Sequence, residues 1–175
     1  RPGWKTARAL PVRAAEAGVP DIPWSPNRQI KSRVMPARDA DGYLRILSAG
    51  GMPVPAHGSP ADVVSAALEM QDFMRDYKAR RQAEGRLFFE MRLGLHSGPV
   101  IAGIVGVKKF AYDIWGDTVN TASRMESSGE PGRVNISRST YEPVKEEPGL
   151  RFFPRGEVEA KGKGPMEMWF VEHAA

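Results

Sequence analysis

The centre of this chain holds a helix whose two ends and buried face can all be read from the residues. Ser59 is a good N-cap and Pro60 follows at the first helical position. Val63, Ala67, Met70, Met74 and Tyr77 then recur at helical spacing and form one apolar stripe. Lys78, Arg80 and Arg81 complement the dipole at the far end, and Gly85 stops the helix. Directly afterwards the period changes. Leu87, Phe89, Met91, Leu93 and Leu95 alternate with Phe88, Glu90, Arg92 and His96, the signature of a half-buried strand. Gly98-Pro99 makes a turn, and Val100 to Val105 reads as a second apolar strand.

Further along, Arg133 to Ile136 is a short strand, and Ser137 caps a brief helix running to about Lys145. Arg151 to Lys161 is extended, Gly162 to Pro165 turns, and Met166 to Val171 alternates as a closing strand. Helices and strands are mixed, with several hairpins instead of strict strand-helix alternation, which predicts an α+β sandwich. A chain of 175 residues with 41% hydrophobic content has room for one ordinary core. The absence of cysteine excludes disulfides and thiolate chemistry and suits a reducing cytoplasm. No apolar run approaches the roughly 20 residues that cross a bilayer, and no signal peptide is evident. A formal charge of +4 favours polyanionic substrates weakly and solubility equally well.

Residues 1–41 have a different character. They are rich in Arg, Pro and Ala, with prolines at positions 2, 11, 20, 23, 26 and 36. Ala7 to Ala17 allows a short helix, and the prolines from Val19 to Pro36 oppose a continuous helix or a central strand. The expectation is an irregular arm over 1–41 and a folded domain over 42–175.

The chemistry concentrates in Lys108 to Ser128, KKFAYDIWGDTVNTASRMESS. Asp113 lies in an apolar, aromatic stretch, and Gly116 breaks it. Asp117 or Thr118 is placed to cap the next helix. Asn120 and Arg124 are four residues apart, so both rise from one helical face. A guanidinium can grip phosphate oxygens in a planar fork, and an amide can orient a hydroxyl. An ordinary polar helix face fits the same spacing. His96, a lone imidazole at a strand end, reads as a structural residue.

The run YDIWGDTVNTASRMESSG closely resembles the catalytic domain of class III nucleotidyl cyclases, the adenylyl and guanylyl cyclases. So do LGLHSGPVIAGIVG, GRVNIS and VEAKGKGPMEMWF, in the family's order, over roughly Gly51 to Val171. The resemblance implies a ferredoxin-like sandwich with a truncated or irregular N-terminal part. It implies an adenylate cyclase that makes 3′,5′-cyclic AMP and pyrophosphate from ATP with Mg2+ or Mn2+, in signal transduction. It also implies a homodimer, or a heterodimer with another cyclase domain, without nucleic acid or membrane contact by this chain. Carried over position by position, Asp113 matches the acid that accepts from the adenine amino group, and Arg45 stands where its lysine partner lies. Asn120 matches the ribose-positioning residue, Arg124 the residue that stabilises the α-phosphate in the transition state, and Lys161 the lysine on the terminal phosphates.

The metal side matches poorly. Asp21, in Asp21-Ile22-Pro23-Trp24, faintly echoes the family's first metal-binding aspartate, and Ala49 stands at the second. Two further expectations therefore stand beside the first: a degenerate domain that binds nucleotide or dimerises without turnover, and a guanylate cyclase.

Overall fold

The computed structural model describes residues 5–13, 31–38, 43–51, 59–105 and 111–174. Its strands are β1 (Lys5–Arg13), β2 (Lys31–Arg38), β3 (Tyr43–Gly50), β4 (Arg92–Ser97), β5 (Ile101–Val105), β6 (Ala111–Trp115), β7 (Val134–Ser137), β8 (Leu150–Ala160) and β9 (Gly164–His173). The helices are α1 (Pro60–Ala83), α2 (Asp117–Ser127) and α3 (Arg138–Tyr141). Seven strands form one sheet in the order β2-β3-β1-β4-β7-β9-β8, and β5 pairs with β6 as a separate hairpin. Neighbours are antiparallel except β4 and β7, which run parallel across the connection that carries the hairpin and α2. The first four strands thus have the order of a ferredoxin-like sheet.

Two of those strands lie where the sequence reading expects an irregular arm, and the expected helix over Ala7 to Ala17 gives way to β1 as far as Arg13. The prolines are placed where the ladder tolerates them. β2 is an edge strand, and Pro36 falls inside the register shift between Met35 and Arg38. β1 is central, but Pro11 falls in the shift between Ala9 and Val12, just past the last pairing with β4 at Leu10. A bulge leaves an amide position unpaired, so a residue without an N–H costs nothing there.

α1 begins with a reciprocal capping box. The Asp62 amide donates to Ser59 Oγ at 3.1 Å, and the Ser59 amide donates to the Asp62 carboxylate at 2.6 Å. It ends at Glu84, followed by Gly85 with φ 64°. Val63, Val64, Ala67, Leu68, Met74 and Tyr77 bury against Phe89, Met91, Leu93, Leu95, Val134, Ile136 and Val171. Met70 of the expected stripe is half-buried at the edge of this core. Alternation correctly aims Phe89 through Leu95 inward. The ladder, however, starts at Arg92, and Leu87 is 69% exposed because it precedes the pairing that would have held it against the sheet.

The other face of β4 receives α2. Leu93 and Leu95 point toward α1, so the intervening Gly94 points the opposite way. A Cβ built on Gly94 would lie 2.0 Å from the Glu126 amide nitrogen and 2.5 Å from its Cα. The backbone of α2 therefore rests directly on the strand, where no side chain fits. Met125 joins Met168 and Ala160 in a second, smaller core on this face.

Candidate functional site

α2 presents a buried face of Thr118, Thr121, Ala122, Met125 and Glu126, and this decides what its other face shows. Asn120 is exposed and Arg124 is half-buried on the opposite side. Among the described residues neither side chain has a hydrogen-bond or ion-pair partner. An amide and a guanidinium, held side by side and unengaged, are available to a ligand.

Both ends of α2 are fixed by residues distant in sequence. At the start, neither Asp117 nor Thr118 caps the helix as the sequence suggests. Gly116 takes the N-cap position with φ 133° and no side-chain cap. The Thr118 hydroxyl instead donates to the Pro99 carbonyl at 2.5 Å. The Asp117 carboxylate instead accepts from Lys163 Nζ in the turn between β8 and β9. Those longer-range partners draw the two side chains away from the amides they would otherwise cap. At the far end, buried Asn135 donates from Nδ2 to the Met125 carbonyl at 2.7 Å. Its Oδ1 accepts from Arg155 at 3.1 Å, and the same Arg155 nitrogen donates to the Ser128 carbonyl at 2.7 Å. Beneath the helix, Arg92 pairs with buried Glu126 at 3.1 Å. The position of Asn120 and Arg124 is thus set from three strands: β4, β7 and β8.

Lys161 opens the same β8–β9 turn, exposed and without a partner among the described residues, while Lys163 ties that turn to the first turn of α2. The turn that carries Lys161 is thus tied to the first turn of the helix that carries Asn120 and Arg124. Asp113 is placed on β6, which runs straight into Gly116 and α2, and its backbone pairs with Gly103 of β5. On that hairpin, Ile101 and Trp115 form an exposed cross-strand pair, at 71% and 42% exposure. Arg45 lies on β3, its backbone opposite Met35 of β2. Ala49 is 3% exposed near the end of β3, paired to Thr6 and Lys31. Asp21 lies outside the described residues.

His96 has the structural surroundings expected of it. Its Nδ1 lies 2.8 Å from Ser137 Oγ and 3.1 Å from Ser139 Oγ. Burial is the main reason that its pKa falls from 6.5 to about 4; the Asp117 carboxylate opposes that shift and Lys163 adds to it. The ring is therefore neutral at ordinary pH. Ser137 sits at the N-cap of α3 but makes no side-chain cap, because His96 and Ser139 engage its hydroxyl. The roles of Asn135, Arg155, Asp117 and Lys163 were not legible from motif spacing. The only sequence signal was two polar residues, Asn135 and Arg155, each within a strand pattern.

Among the described residues no group of three or more His, Asp or Glu side chains is arranged to hold an ion, and Ala49 offers a methyl group. The described part of this chain does not fit a two-metal centre.

The family described as the adenylate and guanylate cyclase catalytic domain matches residues 42–173. Over 131 residues the chain is 40% identical to guanylate cyclase soluble subunit beta-2 of Homo sapiens, covering 75% of this chain and 20% of that protein. It is 37% identical over 131 residues to an adenylate cyclase of Mycobacterium tuberculosis, covering 75% of this chain and 28% of that one. The chain thus spans well under half the length of these relatives. Among solved structures, the guanylate cyclase domain of RhGC from Catenaria anguillulae, in complex with GTP, matches with TM-score 0.73 and 27% identity over 99% of this chain and 98% of that one. The adenylyl cyclase CyaB from P. aeruginosa shares the fold, with TM-score 0.76 and 22% identity over 99% and 95% of the two chains.

Proposed function

This chain belongs to the adenylate and guanylate cyclase catalytic domain family, and we propose that it acts as the nucleotide-gripping half of an adenylate cyclase, turning ATP into 3′,5′-cyclic AMP and pyrophosphate. The observation that carries the proposal is the unengaged Asn120–Arg124 pair on α2, supported by the tie from Lys163, two residues beyond Lys161, to Asp117 at the start of that helix. In the reaction the ribose 3′-oxygen bonds to the α-phosphorus, its proton is lost, and the bond from that phosphorus to the bridging oxygen breaks as pyrophosphate leaves. Asn120 orients the ribose so that the hydroxyl lies in line. Arg124 meets charge that builds on the α-phosphate in the transition state, where a preformed donor acts most strongly. Lys161 holds the terminal phosphates. Asp113 accepts from the adenine amino group, and Arg45 donates to the same ring.

The proposal assigns no step to a metal held by the described residues, since they do not fit one. Class III cyclases generally use divalent ions, and here the carboxylates for Mg2+ or Mn2+ belong to a different cyclase domain paired with this one as a heterodimer, because a homodimer would repeat the same deficit at both of its sites. The isolated chain is then expected to form little cyclic AMP with either ion, the behaviour of a degenerate domain when alone. A cytoplasmic location is proposed with it; no helix among the described residues is long and apolar enough to cross a membrane.

The test is complementation. The chain is mixed with a cyclase domain that keeps its metal aspartates but lacks its own Asn and Arg, and cyclic AMP and cyclic GMP are both measured. Restored cyclic AMP formation supports the proposal. No restored product of either kind, with no nucleotide binding, removes it. A second reading, a guanylate cyclase, draws on the similarity to guanylate cyclase subunit beta-2 and to a domain crystallised with GTP. Predominant cyclic GMP in the same assay establishes that reading instead.

A further inference from the structure

We propose that Lys163 and Asp117 form a latch that positions Lys161 and cancels the one acidic charge in the first turn of α2, so that this end of the helix can accept a triphosphate. The inference rests on the nucleotide-gripping role proposed above and adds two positioning residues to it.

The pair joins elements 46 residues apart in sequence: the first residue of α2 and the turn between β8 and β9. The Asp117 side chain is 76% exposed, and that of Lys163 25%, so the lysine is the partner held against the protein and the carboxylate reaches to it. Hydrogen bonding from Lys163 is the leading cause of the lowered Asp117 pKa, which keeps that carboxylate ionised. An ion pair as exposed as this contributes little to stability. Its consequence is placement and charge.

Placement follows from the turn itself. Lys161 and Lys163 are two residues apart in a three-residue turn between paired strands, where Ala160 faces Gly164. The Lys163 amide donates to the Ala160 carbonyl at 2.8 Å and keeps the turn tight. Holding Lys163 to α2 therefore ties the turn that carries Lys161 to the helix that carries Asn120 and Arg124. Charge follows from Asp117. A carboxylate in the first turn favours the helix, since it meets the positive end of the dipole. The same carboxylate repels phosphate. No side-chain cap occupies the first amides of α2, so the charge balance at this end is set largely by the Asp117–Lys163 pair. Without Lys163, Asp117 would face the substrate's phosphates with its charge uncompensated.

The two functions separate in a double-mutant cycle. In the complementation assay Lys163→Met is expected to raise the KM for nucleotide about tenfold with a smaller change in kcat, since ground-state phosphate binding is what is lost. Asp117→Asn alone loses the anchor of Lys163 without leaving a repelling charge, and is expected to raise KM only about threefold. The double variant Asp117→Asn with Lys163→Met is expected to fall back to about that threefold, because the repelling charge is gone while the lost placement of Lys161 remains. Thermal melts of all three should match the parent, which separates these effects from misfolding. A double variant as impaired as Lys163→Met overturns the charge-cancelling role, and a Lys163→Met protein with unchanged KM overturns the latch altogether. Arg124→Ala, run alongside, keeps the two levels apart. If it is inactive while Lys163→Met is unaffected, the latch fails and the nucleotide-gripping role stands. If it retains the parent rate, that role itself fails.

Discussion

Replacing Gly94 with alanine probes how the site is held, because it adds one methyl group at the contact between α2 and the sheet. The added Cβ would lie 2.0 Å from the Glu126 nitrogen, and the obstacle is backbone on both sides. Contacts below 3.0 Å are essentially never seen for a real Cβ, so helix and strand must separate by at least about 1 Å (3.0 less 2.0). No rotamer change relieves this. Ala122 and Met125, both fully buried, would lose contact across the widened gap, and a gap of that size forfeits a quarter to a half of each dispersion well. The Arg92–Glu126 pair at 3.1 Å would stretch as well. Overpacking of this kind costs about 1–3 kcal/mol, and the rigidity of the obstacle places Gly94→Ala near the upper end, ~3 kcal/mol. For a chain of this length that corresponds to a fall of about 6–12 °C in melting temperature. Because Asn120 and Arg124 ride on the displaced helix, the complemented rate should fall on the order of a hundredfold. The assay is a thermal and urea melt beside the rate measurement. Gly85→Ala is the control: its φ of 64° strains an alanine, but nothing lies within 4 Å of the new Cβ, so about 1–2 kcal/mol and no change in complemented rate is expected. A Gly94→Ala protein that melts with the parent, or no lower than Gly85→Ala, would show that α2 does not rest on β4 as described.

Three further outcomes are expected. Arg124→Ala should abolish the complemented rate while leaving nucleotide affinity largely intact, since the contact strengthens in the transition state; equal losses in Kd and rate count against that role. Asn135→Ala should destabilise by about 1–3 kcal/mol, seen as a lower urea midpoint at constant slope, because the Met125 carbonyl and Arg155 both lose a buried partner. The folded pKa of His96 lies near 4, below its unfolded value of 6.5. The unfolded chain therefore binds the extra proton first as pH falls. The His96 contribution is fully present above about pH 6.5 and is lost progressively toward pH 4. Urea midpoints across that window should decline in the parent and more weakly in His96→Gln; identical slopes would remove His96 as a source of the pH dependence.

Much of the fold was open to reading because its signals are local. The Ser59 cap, the Gly85 stop, the apolar stripe of α1 and the alternation from Phe89 to Leu95 each depend on residues within a few positions of one another. The N-terminal strands were not open to reading. Pro11 and Pro36 argue against strands residue by residue, and only pairing shows that both fall at register shifts. The candidate site divides along the same line. Asn120 and Arg124 share a face by helical spacing alone, and the motif order identified the family.

From its sequence alone the chain determined a capped central helix, an alternating strand, one polar face on α2 and membership of a cyclase family, all by short-range periodicity and motif order. Tertiary structure decided which partners those residues meet. Asp117 turns from capping its own helix to Lys163, Asn135 and Arg155 hold the end of α2, and Gly94 gives up its side chain to the helix above it. The physical reason is that a polar side chain is satisfied by whichever donor or acceptor the fold brings within reach, and that reach is set by packing across the sheet, not by distance along the chain.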